Sequence, residues 1–282
     1  MTVTVEELIK DITTLVSFPV VGVRVNEMVS KPNVSASEIG KVISQDPALT
    51  ARLLRIANSA AFGLTAQVST VSRAVTVIGN KLIRDLVLAT STINAFEGIP
   101  NELVSMENFW RHSLLCGLSA RILAERRGMK NTETLFIAGM LHDVGQLVIF
   151  RKLPAQAKEA LLLSIEGPED FALHNAEQQI FGFDHAQVGA ALLRHWSFPP
   201  LLVECAEYHH APTRATHFPV EAALVHVANS VAQLAEIDSV QEEHALMTED
   251  AAWSAIGLAR EVIEPTVRAA QKQFATVQNL LA

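Results

Sequence analysis

The stretch Leu141-His142-Asp143-Val144-Gly145 sets an imidazole beside a carboxylate inside an otherwise apolar helical run, Thr134-Leu135-Phe136-Ile137-Ala138-Gly139-Met140-Leu141. A desolvated carboxylate is costly unless it is paired or bound to a metal. Imidazole nitrogen and carboxylate oxygen are preferred ligands of Zn, Fe, Mn and Ni. Other histidines follow in the order that a site assembled from several helices needs. His112 falls in Trp110-Arg111-His112-Ser113 near a helix start, and His185 follows Phe183-Asp184 and opens a helical run. His209-His210 end the next helix before Pro212, and Asn229 lies on the helix after that. Taken singly, these histidines have ordinary readings. His112 can donate from a helix N-terminal turn, His185 can be a surface residue beside an Asp, and His209-His210 can sit on the negative end of a helix dipole. The His142-Asp143 pair has no such reading, because its apolar surroundings imply burial. His174, His195, His217, His226 and His244 read as structural or surface residues.

The elements that must position these groups read as helices nearly throughout. Apolar residues recur at helical spacing in Ile39-Val42-Ile43, Leu49-Leu53-Leu54-Ala57, Leu82-Ile83-Leu86-Val87 and Leu115-Leu118-Ile122-Leu123. Ser35 or Ser37 caps a helix running through Ile43, Asp46-Pro47 starts another, and Thr132 precedes a third with Glu133 in its first turn. Alternating strand patterns are scarce and hairpin dipeptides are absent, so the expected fold class is all-α. Glu97-Gly98-Ile99-Pro100-Asn101 is the best subdomain boundary, and 210–219 is a second loop followed by a helix from about Val220. The expected parts are therefore 1–97, 98–235 and a C-terminal helical segment 236–282. Trp110, Trp196 and Trp253 read as core or subdomain-interface residues. Asn58-Ser59 reads as a buried polar pair ending a helix rather than as part of a groove for a partner.

Hydrophobic residues make up 49% of the 282 residues and charged ones 18%, which supports a large buried core and excludes disorder. The net charge of −8 is uneven. Residues 1–97 carry nine Lys/Arg against eight Asp/Glu, whereas 98–282 carry 13 against 22. The acidic half contains the His-Asp pair, which argues against a nucleic-acid surface there. Residues Met1 to Lys10 hold Glu6 and Glu7 and lack a signal-peptide core, and no apolar run is long enough to suggest a membrane span. Cys116 and Cys205 lie in apolar helical contexts and read as buried thiols, so a cytoplasmic location is expected.

In this order the motifs resemble the HD superfamily of metal-dependent phosphohydrolases, and specifically its HDOD branch, over roughly residues 12–260. In the first half the likeness rests on Gln45-Asp46-Pro47-Ala48-Leu49, Ala57-Asn58-Ser59-Ala60-Ala61-Phe62 and Val71-Ser72-Arg73-Ala74-Val75 with Ile78-Gly79. In the second it rests on Trp110-Arg111-His112-Ser113, Ala138 through Gly145, Glu177 with Phe181-Gly182, His185, Trp196 with Pro199, and Tyr208-His209-His210. The resemblance implies an N-terminal helical subdomain packed on an HD-type helical bundle. It further implies one or more divalent ions (Fe, Mn, Ni or Zn) held by His112, His142, Asp143, His185 and His209 or His210. In an active enzyme Asp143 would be the catalytic carboxylate.

Three departures bear on function. Gln146 stands where active relatives carry Lys, Ala211 replaces a carboxylate that often follows the paired histidines, and Asn229 aligns with the final Asp ligand. The expectation is a bacterial signalling or regulatory protein with a retained but catalytically impaired metal site. The alternative is a working phosphohydrolase acting on a nucleotide or other phosphoester. The expected partner is another signalling protein or a small phosphorylated ligand. Nucleic-acid binding by the near-neutral first half is the weakest of the three readings, and no membrane partner is expected.

Overall fold

The computed structural model of the protein describes residues 3–15, 18–59, 62–96, 103–166, 172–237 and 248–277. The expected break at Glu97 to Asn101 lies outside the described residues. Among those described there is no strand, and helices make up the molecule.

An N-terminal subdomain is built from α2 (Val20–Val29), α3 (Ala36–Ile43), α4 (Pro47–Ala57), α5 (Val71–Ile78) and α6 (Asn80–Phe96). Local chemistry sets these boundaries. Ser35, not Ser37, caps α3, accepting from the Glu38 amide while Glu38 bonds back to the Ser35 amide. Asp46 caps α4 through the Leu49 amide at 3.0 Å, with Pro47 as the first helical residue. Asn58 ends α4 and exchanges two 2.8 Å bonds with the Val68 backbone, so the structural reading of this residue holds. Val25, Ile39, Ile43, Leu49, Leu53, Val71, Val75, Ile83 and Val87 form the core of the subdomain.

The larger bundle contains α7 (Met106–Arg126), α8 (Glu133–Leu141), α9 (Val144–Lys152), α10 (Pro154–Glu166), α11 (Leu173–Phe181), α12 (His185–His195), α13 (Pro200–Tyr208) and α14 (Pro219–Glu236). Two further helices, α15 (Asp250–Ile256) and α16 (Ile263–Val277), pack on α14. The two cores meet across α6. Its Ile83 and Val87 face the smaller core, and its Leu86, Leu88, Ala89, Ile93 and Phe96 face the larger. The first helix, α1 (Val5–Leu15), places Leu8, Ile9 and Ile12 in the larger core and lies against α9 and α12. Trp196 fills the joint, with its ring 4.8 Å from Phe18 and 6.3 Å from Phe96. Burial of this apolar surface, worth roughly 25 cal/mol per Å², is what holds the two parts together.

One described stretch, 133–152, has the length and mean hydropathy (1.3) of a membrane span, contrary to the expectation from apolar runs. It folds as two helices, α8 and α9, most of whose residues are buried inside the protein.

Candidate metal centre

The His142-Asp143 pair sits at a break between two helices and not inside one, which corrects the sequence expectation. α8 ends at Leu141, His142 keeps helical angles (φ −55°, ψ −37°), Asp143 turns to φ −97°, ψ 6°, and α9 begins at Val144. Adjacent residues of an unbroken helix point about 100° apart. The turn lets both side chains meet, with His142 Nε2 3.3 Å from Asp143 Oδ2. Glycines bring the other ligand-bearing helices close. A Cβ on Gly145 would stand 2.0 Å from the His185 carbonyl oxygen and 2.5 Å from the Gly189 amide, so only glycine lets α9 touch α12. A Cβ on Gly139 would stand 2.7 Å from Gly117 Cα, which sets α8 against the helix carrying His112.

All six candidate residues converge. Asp143 Oδ1 faces His185 Nε2 at 3.2 Å and His209 Nε2 at 3.3 Å, and His210 Nε2 lies 2.9 Å from His185 Nε2. On the other side, Asp143 Oδ2 faces His142 Nε2 and, at 3.9 Å, His112 Nε2. Asn229 joins this second group, with its Oδ1 2.9 Å from His112 Nε2.

Most of these rings are anchored by their far nitrogen. His142 Nδ1 donates to the Gly139 carbonyl (2.7 Å), His209 Nδ1 to the Ala206 carbonyl (2.8 Å), and His185 Nδ1 to Glu177 Oε2 (2.6 Å). His112 Nδ1 pairs with Glu236 Oε2 at 3.2 Å. Anchoring at Nδ1 turns Nε2 into the site, the arrangement that orients metal-binding imidazoles. The Nε2 atoms of His142 and His209 are buried and have no hydrogen-bond partner, which is unusual for buried polar groups. Two ligands each about 2.1 Å from one ion and at right angles stand about 3.0 Å apart, close to the spacing around Asp143. The orphaned nitrogens and the spacing fit a divalent metal.

Electrostatics follow from burial and pairing. Burial works against charge on both members of the central pair, yet their mutual attraction holds Asp143 well below the usual carboxylate range and His142 well above the usual imidazole range. Burial also opposes charge on His185, but Glu177 and Asp143 hold its pKa up to about 10. Burial lowers His209 to about 4, and burial with neighbouring imidazoles drives His210 well below its ordinary value.

The anchors Glu177 and Glu236 were not among the expected site residues. Glu177 had a signal in the sequence, its place among the motif residues, but Glu236 is 124 positions from His112 and had none. Cys116 and Cys205 are buried free thiols, as expected.

The sequence pattern of the HDOD domain matches residues 15–212. The chain belongs to the HDOD family. An uncharacterized protein of Treponema pallidum is 26% identical over 187 residues, covering 66% of this HDOD chain and 36% of that protein. The chain thus spans little more than a third of the curated relative it matches. Among solved structures, a Shewanella amazonensis protein proposed to be a phosphohydrolase superposes with a TM-score of 0.76 at 24% identity, with 98% of each chain covered. An HDOD domain protein of unknown function from Geobacter sulfurreducens gives 0.72 at 24% identity, covering 97% and 96%. A Marinobacter aquaeolei protein proposed to act in signal transduction gives 0.69 at 20% identity, covering 94% of this chain and 59% of that one. At these identities the likeness establishes the fold. Asn229 and Glu236 lie beyond the matched residues, on α14.

Proposed function

We propose that this HDOD chain is a bacterial signalling or regulatory module whose centre binds two divalent transition-metal ions and is impaired in phosphoester hydrolysis. The observation that carries the reading is the position of Asp143, whose two oxygens face separate imidazole groups: His185 and His209 at Oδ1, His142 and His112 at Oδ2. His210 completes the first group and Asn229 the second. A divalent ion bound there would lower the pKa of a water and polarise a phosphoryl oxygen.

The chain's own residues restrict that chemistry. Asn229 offers an amide oxygen with no charge, so Asp143 is the one anionic candidate ligand. Gln146, in the first turn of α9, offers a transferring phosphoryl group no positive charge, and Ala211 offers no carboxylate for proton transfer. A regulatory role agrees with the signal-transduction role proposed for the Marinobacter protein of the same fold. In that role the partner is another signalling protein or a small phosphorylated ligand, and the module works in the cytoplasm.

The competing reading is an active phosphohydrolase, with Asp143 as its catalytic carboxylate. It is favoured by the orphaned Nε2 atoms of His142 and His209, since the imidazole part of the site is intact. Elemental analysis of protein purified without chelators, followed by assays on nucleotides and simple phosphoesters with Mn, Fe or Ni, separates the two. Bound metal without turnover is expected. Metal-dependent turnover abolished by Asp143→Ala would overturn the impaired-site reading, and failure to bind any of these ions would overturn the metal centre.

A further inference from the structure

His174 lies in the first turn of α11, outside the candidate ligands, and its ring stacks on His210 with centroids 4.1 Å apart and planes 17° from parallel. His210 differs from the other imidazoles of the centre. His112, His142, His185 and His209 each hold a carboxylate or a backbone carbonyl at Nδ1. Among the described residues no hydrogen bond engages His210 Nδ1, and its one polar contact is the 2.9 Å approach of its Nε2 to His185 Nε2. A ring with no hydrogen bond at its far nitrogen is held less firmly about its side-chain torsions. Flat contacts restrain it instead. The His209 ring lies 4.0 Å away but tilted by 47°, and the His185 ring meets it edge-on at 89°. The face-to-face contact comes from His174.

We propose that His174 is a positioning residue of this centre: its stacked ring takes the place of the missing hydrogen bond and holds His210 Nε2 toward the ion shared with His185, His209 and Asp143. The inference rests on the two-ion reading above. It makes His174 part of the site through its shape and π-face, so a phenyl ring can replace it and an alanine cannot. Aromatic contacts of this kind are specific in geometry, and residues that orient a ligand change metal affinity by about ten- to a hundredfold when removed.

The test is titration of the full chain with Co(II) and with Ni(II), following heat and, for cobalt, the visible absorption of the bound ion. His174→Ala should weaken one binding step at least about tenfold and alter the cobalt spectrum, as His210→Ala should. His174→Phe should restore affinity and spectrum to near wild type. Wild-type affinity in His174→Ala would overturn the positioning role while leaving the metal centre standing. Equal weakening by Ala and Phe would also overturn it, since the imidazole nitrogen and not the stack would then matter. A wild-type chain that binds neither ion would bring down the metal centre itself. Circular dichroism of each variant separates misfolding from loss of the ligand, and a misfolded His174→Phe would show that the phenyl ring is no substitute and overturn the stacking account.

Discussion

At the scale of single residues the centre combines five imidazoles with one carboxylate, and its low anionic charge leads to two predictions. Asn229→Asp should tighten binding of Mn or Ni, because a second carboxylate would join the His112 and His142 group across the 2.9 Å contact now made by the amide oxygen. Calorimetric titration of both proteins checks this, and equal affinities would place Asn229 outside the ligand set. Glu177→Gln should weaken binding by about ten- to a hundredfold, although Glu177 is not itself a candidate ligand. Its carboxylate is what holds His185 in place, through 2.6 Å and 2.8 Å bonds to the ring and the backbone amide. Wild-type affinity in that variant would show that the ring needs no such support. The His-Asp pair was legible in the sequence because an apolar run cannot bury a lone carboxylate cheaply. Glu236 was not, because its partner is distant in the chain and a glutamate near a helix end is ordinary.

At the scale of elements, the site depends on helices approaching more closely than most side chains allow. Gly145→Ala should destabilise the fold by about 1–3 kcal/mol through overpacking, and should weaken metal binding because the new Cβ presses on the His185 backbone. Chemical denaturation together with metal titration checks both effects. A variant as stable as wild type would mean that α9 and α12 can separate freely. The helix starts were readable from side chains that satisfy free amides, as at Ser35 and Asp46. The break at His142-Asp143 was hidden because Asp143, although of a type that caps helices, makes no side-chain cap bond and sits within an apolar run. The apolar run continues through Leu141, Val144 and Leu147, so its composition looks like one helix. Nor could an amphipathic pattern say which helix would cover α1, since periodicity reveals a buried face without naming its neighbour.

At the scale of the whole molecule, buried imidazoles tie stability to pH. His209, lowered to about 4 by burial, and His210 and His226, also lowered chiefly by burial, are neutral in the fold and titrate near 6.5 once unfolded. Their contribution is therefore present above about pH 6.5 and is lost as pH falls below it, for His209 through about 4. His185, raised to about 10 in spite of burial, acts in the opposite sense. Its contribution is full below the unfolded value and is lost as pH rises through about 10. The metal-free protein should accordingly show its highest Tm between these limits, and a Tm that stays flat as pH falls below 6.5 would mean that the imidazoles are hydrated in the fold. The placement of α1 bears on synthesis. Its covering helix α12 lies more than 160 residues further along the chain, so at about 5–20 residues per second α1 waits on the order of ten seconds for its partner. The subdomain of α2 to α6 has its own core and can collapse during that interval, whereas Leu8, Ile9 and Ile12 stay uncovered. Helix α1 is thus made well before it can dock, and it is a stretch a chaperone would find exposed on the nascent chain.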